Sequence, residues 1–80
     1  MWILRLSVRE EDIEEVLKLL KSSAISFRNL SYVGSDVSIY IPTTDVIKSL
    51  EIVKMLKSNF KGHLMNTIFE EPEKAIGVRS

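Results

Sequence analysis

The dipeptide Gly34–Ser35 lies near the middle of an 80-residue chain, between two runs rich in β-forming residues, "ISFRNLSYV" and "DVSIYIP". Glycine at the first central position of a two-residue loop suits a type II′ hairpin, whose twist matches that of the strands it joins. Such a turn sets Tyr32 opposite Val37 and Leu30 opposite Ile39. Leu30, Tyr32, Val37, Ile39 and Ile41 then share one apolar face. Upstream of Asn29 the phase changes, because Ile25 and Phe27 disagree with Leu30 and Tyr32, and a β-bulge near Arg28–Asn29 would reconcile them.

A strand–helix unit stands on each side of this hairpin. Over residues 2–8, Trp2, Leu4, Leu6 and Val8 alternate with Ile3, Arg5 and Ser7, which is the two-residue period of a strand. Ser7 and Glu10 have the spacing of a capping box, and Ile13, Val16, Leu17 and Leu20 recur at helical spacing, predicting a helix over residues 9–22. Acidic residues crowd its first half and Lys18 and Lys21 its last turns, which complements the helix dipole. In the second unit Pro42 is expected to end the strand. Thr43 or Thr44 would cap the next helix, with Asp45 in its first turn. Val46, Ile47, Leu50, Val53, Leu56 and Phe60 form the expected apolar stripe, and Asn59 and Gly62 the stop. "HLMNTIFEE" (63–71) reads as a fourth strand of undecided phase. Residues 1–71 make the domain, and 72–80 read as a tail in which "AIGV" could pair with a sheet edge.

The order βαββαβ implies an α+β, ferredoxin-like two-layer sandwich. Two helices should cover one face of a four-stranded antiparallel sheet, and the fold class implies the strand order 4-1-3-2. The acidic start of the first helix would then lie near Lys54, Lys57 and Lys61 at the end of the second.

Composition narrows the functions. Eleven basic and eleven acidic residues balance, so the charge excess of a dedicated nucleic-acid binder is missing. Cysteine is absent, which removes disulfides, thiolate metal sites and cysteine nucleophiles. One histidine, His63, cannot build a multi-histidine site within one chain. No cofactor is expected. The longest apolar runs are too short to span a bilayer, and "MWILRL" lacks the apolar core and cleavage site of a signal peptide. The expectation is a soluble cytoplasmic chain without membrane insertion.

The fold class hosts several chemistries, and each leaves a different trace. Acylphosphatases carry a glycine-rich first loop with an arginine, where this chain has "SVREE". No "GxSxG" or phosphate-binding glycine loop occurs, and His63 has no identifiable nucleophile beside it. RNA-recognition motifs stack bases on aromatics of the two central strands, whereas the open face here offers Ile3, Arg5, Ser38 and Tyr40, with Arg28 at its margin. Amino-acid-binding ACT domains share the topology, but the first loop here lacks the glycine or proline typical of their ligand loop.

The pattern "WILRLSV…IEEVLKLLKSSAISF…VSIYIPTTDVIKSLEIVKML", over residues 2–56, resembles the N-terminal soluble domain of a family of uncharacterised hydrophobic membrane proteins of archaea and bacteria. Its shared elements are a helix ending in "L-L-x-x-x-x-I" and a strand closed by "P-T" before a helix. The resemblance implies a cytoplasmic accessory domain, and no catalytic residues carry over.

The expectation is therefore a non-enzymatic module for regulation or assembly, pairing with itself or docking to a protein partner. Its working surface would be the open sheet face, with Ile3, Arg5, Arg28, Val33, Ser38 and Tyr40 as candidates. RNA binding on that face and small-ligand sensing at a dimer interface are the alternatives.

Overall fold

A computed structural model describes Met1–Glu71; the expected tail, with its "AIGV" segment, lies outside the described residues. The elements are β1 (Trp2–Arg9), a 3-10 turn (Glu10–Asp12), α1 (Ile13–Ser22), β2 (Asn29–Val33), β3 (Asp36–Thr43), α2 (Val46–Asn59) and β4 (Leu64–Glu70). The strands form one antiparallel sheet in the order β2-β3-β1-β4, the topology of a ferredoxin-like sandwich. β1 and β3 are the central strands.

Strand alternation decides what lies where. Leu4, Leu6 and Val8 of β1 stand opposite Ile41, Ile39 and Val37 of β3, and all six are buried. Val16 and Leu20 of α1 and Ile52, Val53 and Leu56 of α2 close over this surface, with Phe60 just past the end of α2. Both helices thus serve the same sheet face, and the core is the layer between.

The hairpin forms in the expected register. Tyr32 pairs with Val37 and Leu30 with Ile39, and Gly34 has φ +63° while Ser35 stays at negative φ, as a type II′ turn requires. The run before it behaves differently. β2 begins only at Asn29, and just before it the Arg28 amide donates to the carbonyl of Tyr40, the partner of Asn29, at 2.7 Å, so Arg28 and Asn29 oppose one residue as in the expected bulge. Ile25 instead closes α1: its amide donates to the Leu20 carbonyl at 2.9 Å, and the Ala24 amide donates to that of Lys21 at 3.0 Å. This is a Schellman ending, with Ile25 packed against the core. Helix capping at Ile25 and the off-register bond at Arg28 lie together where the phase changes before Leu30.

The first helix starts later than its sequence suggests. β1 pairs with β3 through Arg9↔Asp36, so Ser7 is a strand residue and no capping box forms. The Glu10 amide donates to the Ser35 carbonyl at 2.8 Å, and no side chain caps the turn or α1. Ladder hydrogen bonds have taken the amides that local capping would have used.

The β3–α2 seam also differs. Asp45, not a threonine, is the cap, and its Oδ1 accepts from the Lys48 amide at 2.8 Å. Thr43 remains in β3, buried, with its Oγ1 2.7 Å from the Oγ of fully buried Ser49. The Asp45 carbonyl lies 3.3 Å and 3.4 Å from these two hydroxyls, so one can donate to the other and the chain of donors can end there. Pro42 lies within β3 and pairs with Ile3. The Tyr40 carbonyl accepts from Arg28 on the β2 side, so two residues on, the position of Pro42's missing N–H faces the same way, past the end of β2. The proline breaks no ladder bond.

Ser49 sets the rotation of α2. With Ser49 against Thr43, the buried stripe is Ser49, Ile52, Val53 and Leu56, and Ile47 and Leu50 turn outward at 69% and 53% exposure. The expected stripe included those two and omitted Ile52. Apolar residues occur on several sides of this helix, so period alone does not choose a face. A short hydroxyl pair and the close approach a serine allows make the choice.

Two glycine-type positions give tests. Ala24 has φ +58°, a left-handed conformation that costs an L-residue about 1–2 kcal/mol. Ala24→Gly should stabilise the fold by roughly 0.5–1 kcal/mol in denaturant titration, the strain relief being partly offset by unfolded-state entropy. At Gly62 an added Cβ would collide with the Phe60 ring and lie 2.9 Å from Asp12 Oδ2. Phe60 is a core side chain, so Gly62→Ala should lower stability by about 1–3 kcal/mol in the same assay.

Candidate functional site: the helix-free face of the sheet

The alternation that sends Leu4, Leu6 and Val8 to the core sends Ile3, Arg5 and Ser7 to the other face. Pairing extends this across all four strands. One row runs Asn29–Tyr40–Arg5–Thr67. The next runs Ser31–Ser38–Ser7–Met65, and a third Pro42–Ile3–Phe69. No helix packs on this face.

Three serines in one row make a low track across the sheet. Arg5, from the neighbouring row, leans onto it, its Nε 3.4 Å from Ser38 Oγ, a long hydrogen bond. That accounts for the burial of Ser38, which is only 6% exposed although it faces away from the core. On the other side of Arg5 a shallow depression of about 240 Å³ is lined by Arg5, Ser7, Met65 and Thr67.

Apolar side chains frame this polar centre. Val33 on β2 is 71% exposed, and Met65 and Phe69 on β4 are 61% and 38% exposed. Tyr40 is half-buried between them and Arg5 remains exposed. The expected surface is therefore present in part. Arg5, Val33 and Tyr40 stand on the open face and are accessible. Ile3 and Ser38 stand on it but are buried, so neither presents a contact surface.

Arg28 is occupied elsewhere. Its two terminal nitrogens donate to the two oxygens of the Glu71 carboxylate at 3.0 Å and 2.9 Å. Arg28 precedes β2 and Glu71 follows β4, the two edge strands, so the fork reaches across the end of the sheet. The hydrogen bonds to Glu71 hold the guanidinium above its usual pKa, against a smaller opposing effect of burial, and the opposite charge adds to them. Arginine is charged throughout the working range in any case, so this pair adds no pH dependence through its cation.

Met65, Thr67 and Phe69 are surface residues that periodicity missed. Leu64 and Ile68 recur at the same spacing as Met65 and Phe69, so "HLMNTIFEE" supports either phase. Only the pairing of Leu4 with Ile68 settles it, placing Leu64 and Ile68 against the core. The charge complementarity expected between the helices is one of proximity: Asp12 of the first helical turn lies near Gly62, but no ion pair joins α1 to α2 among the described residues.

Among the described residues no group of three or more His, Cys, Asp or Glu side chains is placed to hold a metal ion. His63 is exposed, just before β4. No helix of the described residues is long and apolar enough to cross a membrane. No protein-family model and no curated protein matches the chain.

The Arg28–Glu71 fork is solvent-exposed on both sides, where ion pairs contribute little and salt screens them. Arg28→Gln should lower the thermal midpoint slightly at low ionic strength, and the difference should vanish at molar salt.

Proposed function

We propose that this chain is a cytoplasmic, non-enzymatic ferredoxin-like module that acts in regulation or assembly by pairing through its helix-free sheet face with a second copy of itself. The observation that carries this is the arrangement of exposed Val33, Met65 and Phe69 around an accessible Arg5 and Tyr40 on a face that no helix covers. An apolar frame with an aromatic and an arginine has the composition of a protein interface. In a two-fold pairing the Arg5 guanidinium of one copy can lie against the Tyr40 ring of the other, a cation–π contact.

Size sets the strength. Four strands at about 4.8 Å spacing and seven residues at about 3.4 Å give a face of roughly 450 Å². Stable interfaces cover about 800 Å² per partner. The pairing should therefore be weak and concentration-dependent, a property that suits a module exchanging partners. Docking of the same face onto another protein is the form this takes if the partner is not a second copy.

RNA binding on this face has less support. It relied on Arg5, Arg28 and Tyr40, but Arg28 is engaged by Glu71, and Asp36 shares the face. Arg5 and Tyr40 remain, and Arg9 on the same face stands opposite Asp36, a set that offers little phosphate affinity.

Sedimentation from micromolar to millimolar concentration should show a monomer–dimer equilibrium. Met65→Glu places a charge within the frame, on an exposed side chain, and should give a monomer with an unchanged circular dichroism spectrum. A wild-type chain that stays monomeric throughout, without a partner retained on this face, would remove the proposal.

A further inference from the structure

A second surface feature lies at the other side of the molecule, between the end of α1 and the start of α2. There the α1–β2 connection and the β3–α2 seam line an open pocket of about 300 Å³. Its floor is made of buried Ile41 and Ile52, with half-buried Ile25 as one wall. Ser26, Thr44 and Lys48 are exposed and form the rim. Ala24, at φ +58°, is one lip.

The geometry points to a binding site for a small aliphatic carboxylate, with its hydrocarbon part on the accessible Ala24, Ile25 and Pro42, above the buried Ile41 and Ile52, and its carboxylate at Lys48. Three observations fix this class. The accessible lining is mainly apolar, which favours a hydrocarbon occupant. The volume is about twice the ~150 Å³ that admits a benzene ring, and at the lower limit for ligand pockets, so the occupant is small. Lys48 is the one charged side chain among the described lining residues, so the charge it favours is negative. Its amine is loosely placed beside Glu51 at 3.9 Å, on a pair exposed on both sides, and is free to turn to a better partner. The nearby Asp45 carboxylate does not line the pocket and is engaged by the Lys48 backbone amide. The rim hydroxyls of Ser26 and Thr44 supply donors to a second carboxylate oxygen.

This site shares no lining residue with the depression at Arg5, Ser7, Met65 and Thr67 on the helix-free face. Amide NMR of the isotope-labelled chain tests it, with isocaproate and its neutral amide as probes. Shifts should concentrate at Ser26, Thr44 and Lys48 and saturate, with the acid binding about three- to fivefold more tightly than the amide. Lys48→Met should erase that preference and leave binding of the neutral amide intact, and Lys48→Arg should retain it. The unbound spectra of both variants serve as the check on folding. Equal binding of acid and amide by the wild-type chain, shifts gathered around Arg5 and Thr67 instead, or no saturable shift at the rim would each overturn the assignment.

Discussion

The whole structure hangs on β1 being paired along both edges at once. Eight residues of β1 face β3 and seven of them also face β4, all antiparallel. A strand held on both sides cannot slip by one residue without exchanging Leu4, Leu6 and Val8 for Ile3, Arg5 and Ser7. Such a slip would place an arginine and a serine in the core, a cost of several kcal/mol that no local preference offsets. The helices can therefore bury only one face. The polar serine row and Arg5 on the opposite face follow from the same constraint.

What the sequence disclosed and what it hid divides along physical lines. Contacts local in sequence were legible: a glycine at the first turn position identified the hairpin and its register, and the alternation of β1 identified its inward residues. Choices made by distant partners were not. The phase of β4 depends on β1, far away in the chain. The rotation of α2 depends on the meeting of Ser49 with Thr43, between two polar residues that a hydrophobic count ignores. The capping box at Ser7–Glu10 was a correct local possibility that lost to long-range ladder bonds. In each case a tertiary contact overrode a pattern equally good by itself.

The candidate surface was legible to the same degree. Arg5, Val33 and Tyr40 follow from alternation in strands whose phase was clear. Met65 and Phe69 required the phase of β4. Ile3 shows a further limit: alternation gives the side of the sheet on which a residue stands, but not whether its neighbours there, Pro42 and Phe69, leave it reachable. The seam after β3 was read as structural, and its threonine and aspartate do hold a helix end. The adjoining hollow needs α1 and α2 together, and no single segment reveals it.

The position of β1 in the chain has a consequence for folding. It is made before either of the strands that flank it, and β4, the second of them, comes last among the described elements. The β2–β3 hairpin can close within microseconds, whereas joining β4 to β1 brings together nearly the two ends of the described chain. Until it does, one flank of β1 presents a bare row of amides and carbonyls, the kind of edge on which chains aggregate. Arrival of β4 covers that flank and, in the same step, delivers Met65 and Phe69 to the open face. The pairing that covers this flank is thus also the one that completes the apolar frame, and a chain without it would lack the surface and carry the hazard together.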